Sequence, residues 1–467
     1  MTDTIFRKYD IRGKVGTDLI IENMYDLGMA LAYYFLKNKP DTKTVVIGMD
    51  GRTHSPEIKK SLCKAMQDSG LDVTFIGVCP SPVLYFSVYT QDLDAGLMIT
   101  ASHNPKEYNG IKICLGEKTV WGEEVQKIKE FYKNKKRVVS KNKGSYSECD
   151  VIDSYIDWLK EHFYNLVGMD LSAVIDCGNG VGCAVVHRLI EKMEWPGVTT
   201  LFETVDGDYP NHEADPTVEE NMRFVKDALF SSEIDVGIGL DGDCDRMAPM
   251  TRSGELVTGD KLLAVYATPI LKDYPGSVIV GDIKSSSGLT EIVELLGGKL
   301  VMSPSGHSIV KKYMHDSNAL LGGELSCHFF FADRHFGYDD AFYAMMRLFE
   351  IMVESQKSLQ ELIFEFPNKI STPEIRIACA DNKKKELVEK VKSLFAKRPD
   401  ATIITIDGVR AVMSYGWGLL RVSNTQPVVS LRMESSSEEG LKKVKQDFYN
   451  ALQPYFEEDF LKEKLFM

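Results

Sequence analysis

The chain has 467 residues, more than the roughly 100–200 residues of an ordinary domain, and this length predicts about two to four domains. Hydrophobic residues make up 44% and charged residues 26% of the chain, which excludes a wholly disordered protein. The formal net charge of -13 disfavours a protein that binds nucleic acid or anionic membranes over a broad surface.

Targeting and redox signals are those of a cytoplasmic protein. The N-terminal segment lacks the apolar core of a signal peptide, and the apolar stretch Leu27–Leu36 is too short to span a bilayer. The nine cysteines are odd in number and contain no C-x-x-C pair, so neither a disulfide framework nor a zinc site is predicted. We therefore expect a reduced, soluble, cytoplasmic chain.

Short apolar runs alternate with amphipathic stretches through most of the chain. In chain order, the pattern predicts strand Val45–Met49, helix Pro56–Gly70, strand Gly96–Thr100, helix Glu123–Lys135, strand Ala173–Asp176, helix Val218–Ser231, strands Val236–Leu240 and Val278–Gly281, and helix Gly288–Leu296. Ser55 is a natural N-cap for the first helix, with Pro56 at its first position. This alternation predicts α/β domains around largely parallel sheets.

The pattern changes near Asn368–Pro373, and the basic segment Lys133–Gly144 marks an earlier connection. The later part predicts strand Glu374–Ala380, helix Lys383–Ala396, strands Thr402–Ile406, Ala411–Ser414, Gly418–Val422 and Val428–Glu434, and a helix from Ser437 to about Leu452. That order is typical of a small antiparallel α+β module.

The segment Asp241–Arg246 (DGDCDR) follows the predicted strand Val236–Leu240 directly. Three carboxylates at alternate positions suit a hard cation such as Mg²⁺. An EF-hand is excluded, because Arg246 and Arg252 stand where its loop needs glycine and glutamate. A phosphatase with Asp241 as nucleophile and a solvated acidic turn remain alternatives.

The segment Thr100–Pro105 (TASHNP) follows another apolar strand. Functional groups of open α/β sheets lie at the carboxyl ends of strands, so Ser102 is a candidate nucleophile. A polar turn or a helix cap is the alternative. We interpret His103 as structural, because neighbouring side chains at a strand end usually point apart.

The segment Gly322–His328 (GGELSCH) places Glu324, Ser326 and His328 at alternate positions. Carboxylate and hydroxyl groups suit the hydroxyls of a sugar, and histidine can move a proton near neutral pH. An ordinary strand edge explains the pattern equally well.

The segment Arg421–Pro427 (RVSNTQP) offers a guanidinium, two hydroxyls and an amide, which together can hold a phosphate. A polar hairpin turn is the alternative. The glycine-rich segment Asp176–Gly182 lacks the spacing of a nucleotide-binding loop and is interpreted as a tight turn.

These four segments, in this order and with the opening Phe6–Gly13, resemble the α-D-phosphohexomutase superfamily over essentially the whole chain. TASHNP is similar to its phosphoserine loop, DGDCDR to its metal loop, GELSCH to its sugar-recognition loop and RVSNTQP to its phosphate-binding loop. The motifs resemble most the bacterial phosphomannomutase/phosphoglucomutase group, while phosphoglucosamine mutases share most of them. Cys327 stands where that superfamily usually has glycine.

The resemblance implies a heart-shaped enzyme with three similar α/β domains that have mixed sheets, and a C-terminal α+β domain like the TATA-box-binding protein. The expected domains are residues 1–148 with the phosphoserine loop, 149–252 with the metal loop, 253–368 with the sugar-recognition loop and 369–467 with the phosphate-binding loop. The active site is expected where the four domains meet.

The resemblance also implies the reaction, which is the interconversion of hexose 6-phosphate and hexose 1-phosphate through a phosphoserine and a hexose 1,6-bisphosphate. Catalytic groups are expected at Ser102, Lys112, His328 and Arg246, and one Mg²⁺ at Ser102, Asp241, Asp243 and Asp245. The expected substrate-binding residues are Tyr9, Arg12, Lys284, His307, Glu324, Ser326, His328, Arg421, Ser423, Asn424 and Thr425.

Sugar phosphates are the expected ligands, with mannose and glucose both compatible with the motifs. Neither nucleic acid nor a membrane is an expected partner, and both a monomer and a dimer are compatible with the sequence. A phosphoglucosamine mutase, a Mg²⁺-dependent sugar phosphatase and a non-catalytic sugar-phosphate-binding protein are the alternatives. A phosphatase would depend on Asp241 rather than Ser102.

Overall fold

The computed structural model describes residues 1–422 and 428–466. They form two compact units, Met1–Pro269 with Ser326–Ile363 and Ile270–Leu325 with Phe364–Met467. Within the described residues, no helix combines the length and apolar character needed to cross a bilayer.

The first sheet is mixed and runs in the order β1-β5-β4-β2-β3-β7, with β6 beside β5. Its strands are β1 (Ile11–Lys14), β2 (Thr44–Met49), β3 (Asp72–Val78), β4 (Ala95–Ile99), β5 (Tyr108–Leu115), β6 (Lys118–Thr119) and β7 (Tyr146–Glu148). The accompanying helices are α1 (Met24–Asn38), α2 (Ser55–Asp68), α3 (Ser81–Thr90) and α4 (Glu123–Lys133). Strands β2, β3, β4 and β7 are parallel, whereas β5 is antiparallel to both β1 and β4. The carboxyl ends of β2 and β4 therefore lie side by side.

Helix α2 shows how the sequence forms these elements. Ile58, Leu62 and Met66 recur every fourth residue and are fully buried, as one face of a helix against a sheet requires. Ser55 is not the N-cap, so that prediction is wrong: the helix begins at Ser55, and its hydroxyl donates to Asp50 at 2.7 Å. The hydroxyl therefore bonds to a carboxylate five residues earlier in the chain instead of capping the helix.

The second sheet has the order β11-β10-β8-β9. It contains β8 (Ala173–Asp176), β9 (Val198–Leu201), β10 (Val236–Leu240) and β11 (Met247–Thr251), with helices α5 (Ile152–His162), α6 (Cys183–Met193) and α7 (Arg223–Ser231). Strand β8 is parallel to β9 and β10, and β11 is antiparallel to β10. The carboxyl ends of β8 and β10 again share one edge.

Helix α8 (Gly259–Asp273) leads to a third set of strands, in which β12 pairs in parallel with both β13 and β14. The elements are β12 (Val278–Asp282), α9 (Ser287–Leu295), β13 (Lys299–Ser303), α10 (His307–Ser317), β14 (Leu321–Gly323), β15 (Phe329–Phe331), α11 (Ala341–Ser355) and α12 (Leu359–Phe364).

The C-terminal sheet is antiparallel, in the order β16-β21-β20-β19-β18 with β17 beside β21. Its elements are β16 (Ile370–Ser371), β17 (Ile375–Ala378), α13 (Asp381–Phe395), β18 (Thr402–Ile404), β19 (Val409–Met413), β20 (Gly416–Val422), β21 (Val428–Ser435), α14 (Glu438–Leu452) and α15 (Glu458–Phe466). The predicted fold class, three α/β parts followed by an antiparallel α+β part, is confirmed. Single-turn 3-10 helices complete the chain at Asp3–Ile5, Ile21–Asn23, Tyr164–Leu166, Glu219–Met222 and Gln453–Tyr455.

Candidate active site

The hydroxyl of Ser102 lies just beyond the carboxyl end of β4, and the residue is 3% exposed. Its backbone has a φ of 51°, in the left-handed region that residues other than glycine seldom occupy. Ser102 Oγ donates a hydrogen bond to the carboxylate of Asp241 at 2.8 Å and accepts one from the guanidinium of Arg246 at 3.2 Å. The hydroxyl is therefore buried between an acidic acceptor and a cationic donor.

His103 contacts this hydroxyl, with 3.0 Å between its Nδ1 and Ser102 Oγ. The prediction that the two neighbouring side chains point apart is wrong. It assumed the alternation of an extended strand, whereas the left-handed backbone of Ser102 turns both side chains to one side.

Asp241, Asp243 and Asp245 follow the carboxyl end of β10, and each is at most 2% exposed. One oxygen from each carboxylate lies within 4.8 Å of the others. Such burial excludes the solvated acidic turn that the sequence left open. The structure thus brings Ser102 and three carboxylates together from two different sheets.

This cluster fits a hard divalent cation. Among the residues that the structure describes, Asp243 Oδ1 is buried and has no hydrogen-bond partner. Burial, reinforced by the charges of Asp245 and Asp243, raises the pKa of Asp241 well above its ordinary value. A buried oxygen without a donor, beside two further carboxylates, is the environment that Mg²⁺ or a similar ion relieves.

Lys112, from β5, is the closest cation of this group. Its ammonium lies 2.6 Å from Asp243 Oδ2 and also contacts the carboxylate of Asp245. Burial opposes the charged form of Lys112, but the two carboxylates outweigh burial and raise its pKa well above the ordinary value. Lys112 is therefore an ammonium ion that balances the acidic cluster.

His328 also lies beside this cluster. Its Nδ1 is 3.2 Å from the carboxylate of Asp339 and 3.6 Å from that of Asp245. Burial lowers the pKa of His328 to about 4, so the imidazole is neutral near neutral pH. Asp339, which sequence reasoning missed, forms with Asp245 and His328 a second group of potential ligands.

Arg12 also reaches the loop that carries Ser102. Its guanidinium donates to the carbonyl of Ala101 at 3.1 Å and to the side chain of Asn104 at 2.8 Å, and it is paired with Asp10. Tyr9 is half-buried one residue before Asp10. The structure thus places Arg12 directly against this loop.

Arg52 is a residue of this site that the sequence did not reveal. It follows the carboxyl end of β2, its side chain is fully buried, and Nε donates to Asp50 at 3.0 Å. Its other nitrogens donate to four backbone carbonyls, those of Ser102, Asn104, Pro105 and Tyr108. One guanidinium therefore holds the Ser102 loop. In the sequence, the only indication of this role was the position of a polar residue shortly after a predicted buried strand.

We expect the substitution Arg52→Met to lower the free energy of unfolding by about 3–5 kcal/mol, because it leaves Asp50 as a buried, unpaired charge. Urea denaturation of both proteins measures this difference. The matched control is Arg137→Met, at an exposed arginine, which is expected to change stability by no more than about 0.5 kcal/mol. Equal unfolding midpoints for Arg52→Met and the unchanged protein would contradict this account.

In the second unit, the loops after β12, β13 and β14 are connected by hydrogen bonds. Asp282 accepts from Ser305 Oγ at 2.8 Å and lies 3.7 Å from the ammonium of Lys284. Glu324 accepts from the amide of Gly306 at 2.6 Å, and His307 begins α10 directly afterwards. The predicted residues Lys284, His307 and Glu324 thus come from neighbouring strand ends of the same unit.

The structure describes some of the remaining predicted residues and not others. Ser326 is half-buried, and the following Cys327 has a φ of 65°, a conformation that favours glycine. Arg421 is paired with Asp407 at 2.9 Å. The last predicted residues, Ser423, Asn424 and Thr425, lie outside the described part of the chain.

Family models match the chain in four consecutive segments. They describe phosphoglucomutase/phosphomannomutase α/β/α domain I at residues 3–138, domain II at 153–254, domain III at 258–370 and the C-terminal domain at 374–451.

Individual proteins match over nearly the full length. A phosphomannomutase/phosphoglucomutase of Pseudomonas syringae is 39% identical, over 97% of this chain and 96% of its own. A phosphoglucomutase of Neisseria gonorrhoeae is 35% identical, over 96% of each chain. The crystal structure of a phosphoglucomutase/phosphomannomutase family protein from Burkholderia thailandensis has a TM-score of 0.89 and 32% identity, over 97% of this chain and 98% of its own. The resemblance to α-D-phosphohexomutases is confirmed, and the chain belongs to the phosphoglucomutase/phosphomannomutase family of isomerases.

Proposed function

We propose that this enzyme interconverts hexose 6-phosphate and hexose 1-phosphate, with mannose or glucose as the sugar, through a phosphoserine at Ser102 and a hexose 1,6-bisphosphate. The observation that carries the proposal is the 2.8 Å hydrogen bond between Ser102 Oγ and Asp241, inside a buried cluster of three carboxylates. A hydroxyl beside a cation site is the arrangement that phosphoryl transfer requires.

In the proposed reaction, phosphorylated Ser102 gives its phosphoryl group to a free hydroxyl of the bound sugar phosphate. The bond between phosphorus and Ser102 Oγ breaks as the sugar oxygen forms its bond to phosphorus, while a basic side chain takes the proton of the sugar hydroxyl and Ser102 Oγ gains a proton. The bisphosphate then returns its other phosphoryl group to Ser102: Ser102 Oγ loses its proton, and the other sugar oxygen, which is freed of phosphorus, gains one. No co-reactant is consumed.

Asp241, Asp243, Asp245 and phosphorylated Ser102 are the proposed ligands of one Mg²⁺. When bound, this ion neutralises charge on the transferring phosphoryl group. Arg246, which donates to Ser102 Oγ at 3.2 Å, adds a fixed positive charge beside the same oxygen.

Lys112 and His328 are the proposed proton carriers. Both are buried beside the carboxylate cluster, one as an ammonium and the other as a neutral imidazole. A matched acid and base of this kind allows one site to give and to take a proton.

The other predicted residues are proposed to bind the substrate. Glu324 and Ser326 would hold sugar hydroxyls, and the cationic and polar groups would hold the phosphate that does not react. The latter are Tyr9, Arg12, Lys284, His307, Arg421, Ser423, Asn424 and Thr425. Hexose 1,6-bisphosphate is proposed as the activator, because it can phosphorylate Ser102.

The proposed domain division is 1–148, 149–252, 253–368 and 369–467. It is supported by the sheets, since strands β1–β7, β8–β11, β12–β15 and β16–β21 each fall within one range. A cytoplasmic location is proposed because the nine cysteines, all within the described residues, are not joined in disulfides, which is typical of a reducing compartment.

The experiment is a coupled assay with Mg²⁺ and glucose 1,6-bisphosphate that compares mannose 1-phosphate, glucose 1-phosphate and glucosamine 1-phosphate. We expect conversion of mannose 1-phosphate or glucose 1-phosphate to the 6-phosphate, without release of inorganic phosphate. A preference for glucosamine 1-phosphate would identify a phosphoglucosamine mutase instead. Failure of all three substrates, or release of inorganic phosphate as the product, would refute the proposal.

A further inference from the structure

A long loop, residues 202–217, connects β9 to the 3-10 helix Glu219–Met222 and packs against the candidate site. Two glycines show how closely it packs there: a Cβ on Gly207 would lie 2.4 Å from the carbonyl oxygen of Gly51, and one on Gly51 would lie 2.3 Å from the side chain of Val205. The loop is therefore fitted against the turn that carries Arg52.

His212, within this loop, is bonded at both ring nitrogens. Nδ1 lies 2.9 Å from the carbonyl oxygen of Glu213, and Nε2 lies 3.1 Å from the carboxylate of Asp176 at the end of β8. A carbonyl and a carboxylate only accept hydrogen bonds, so satisfying both requires a proton on each nitrogen. This geometry selects the imidazolium form.

The surroundings of His212 support that form. Its ring packs against those of Phe202 and Phe224, at centroid distances of 5.3 Å and 6.3 Å, and the side chain is 5% exposed. The charged groups that face it are Asp176 on β8 and Arg223 on α7. Burial and Arg223 lower its pKa, but the hydrogen bond and charge of Asp176 outweigh them and raise it above the ordinary value.

The same loop supplies partners to two arginines of the site. The Tyr209 ring lies 5.2 Å from the guanidinium carbon of Arg52, which holds the Ser102 loop. Asp215 lies 3.8 Å from the guanidinium of Arg246, which donates to Ser102 Oγ. The position of this loop therefore affects both cations that set the position of Ser102.

We propose that protonated His212 is a positioning residue for phosphoryl transfer. By donating hydrogen bonds to both Asp176 and Glu213, it fixes the position of the 202–217 loop and, through that loop, the positions of Arg52 and Arg246. This inference rests on the proposed function. Because the pKa of His212 in the folded protein is raised, both hydrogen bonds are present at low pH, and one of them is lost as the pH rises through that pKa. Neutral His212 retains only one of its two donors.

The first test measures kcat and KM for glucose 1-phosphate in the unchanged enzyme and in His212→Gln over about pH 6 to about pH 9. Glutamine can replace only one of the two hydrogen bonds. We expect the kcat ratio of unchanged enzyme to variant to be about tenfold at the acidic end and to fall towards one at the alkaline end, with KM changed less than about twofold. The ratio isolates His212, because the other titrating groups are common to both proteins.

His187→Gln is the matched control. His187 also pairs with a carboxylate of this loop, Glu203, at 3.1 Å, but its side chain is 51% exposed. Exposed pairs of this kind contribute little, so the kcat ratio for this control is expected to stay near one at every pH.

A second variant, Asp176→Asn, keeps the size of the side chain and removes its charge. The kcat ratio is then taken between Asp176→Asn and the double variant Asp176→Asn/His212→Gln. The pH at which this ratio falls is expected to be lower than in the Asp176 background, a shift that loss of packing alone would not produce. Hydrogen exchange of residues 202–217 provides a readout without catalysis: corrected for intrinsic rates, exchange in the unchanged enzyme is expected to speed up as the pH rises, and in His212→Gln to be fast throughout.

The outcomes separate the two proposals. If the unchanged enzyme converts none of the sugar phosphates, the proposed function fails. The exchange measurement still tests whether protonated His212 fixes the 202–217 loop. If the enzyme is active and the kcat ratio for His212→Gln does not vary with pH, the positioning role is refuted. Equal loop exchange in both proteins at all pH values would refute it as well.

Discussion

Replacement of Ser102 by alanine is expected to lower kcat by at least about a thousandfold, the size of effect that follows loss of a covalent nucleophile. In the proposed reaction, phosphorylated Ser102 donates its phosphoryl group in the first half-reaction, and the Ser102 hydroxyl accepts one from the bisphosphate in the second, so alanine removes the group that both half-reactions need. The coupled assay with glucose 1-phosphate and glucose 1,6-bisphosphate measures the loss.

Ser87→Ala is the matched control for this variant. Ser87 is fully buried in α3, and its hydroxyl donates only to the carbonyl of Val83 within the same helix. Its removal is expected to leave kcat within about twofold. Mass spectrometry adds a direct readout, since the unchanged enzyme should gain one phosphoryl group from glucose 1,6-bisphosphate and Ser102→Ala should gain none.

A phosphatase would respond differently to the same substitutions. It would tolerate Ser102→Ala, lose activity with Asp241→Asn and release inorganic phosphate. Retention of more than about a tenth of kcat in Ser102→Ala would therefore contradict the phosphoserine mechanism.

Substitution of Asp243 by asparagine is expected to lower kcat by about a hundredfold or more, through weakened binding of the metal ion. Asparagine preserves the size of the side chain but removes one of the three negative charges that lie within 4.8 Å of one another. The hydrogen bond from Ser81, at 2.6 Å, can persist to the amide oxygen, so the change acts mainly on charge.

Magnesium dependence provides the measurement for this variant. Treatment with a chelator should abolish the activity of the unchanged enzyme, and added Mg²⁺ should restore it. Mg²⁺ should also raise the Tm of the unchanged protein more than that of Asp243→Asn, because a ligand stabilises the folded state according to its affinity. Asp227→Asn, at an exposed aspartate, serves as the control and should behave like the unchanged enzyme. Full activity after exhaustive chelation would contradict the metal role.

The geometry of the cluster explains why these two effects should be large. Burial leaves little water to screen charge, and the pKa of Asp241 is raised by burial and by the other two carboxylates. Lys112 and Arg246 provide two positive charges against three carboxylates. A divalent cation and a phosphorylated Ser102 would enter a site whose fixed charges are already arranged for them.

The chain pattern predicted the secondary structure near the site closely. Strands Ala173–Asp176 and Val236–Leu240 were predicted with the bounds that the structure has, and helix α4 begins at Glu123 as expected. These elements depend on local backbone preference and on burial of one face, both of which are visible in a short window of sequence. The motifs were identifiable for the same reason, since each begins at the end of such a strand or directly after it.

The contacts of the site depend on residues far apart in the chain. Ser102 and Asp241 are 139 residues apart, and no window of sequence places them 2.8 Å from each other; only the resemblance to a family implied their proximity. The roles of Arg52 and His212 had no such signal, because each depends on carbonyls or carboxylates brought to it by other strands and loops.

The sequence by itself therefore determined the strands, the helices and the chemical groups at the strand ends, because these follow from local periodicity and side-chain chemistry. Only the tertiary structure decided which of those groups meet, that the aspartates are buried, and that Ser102 turns its hydroxyl towards both His103 and Asp241. The physical reason is that burial and long-range hydrogen bonding are properties of packed sheets and loops, and they override the local preferences of single residues.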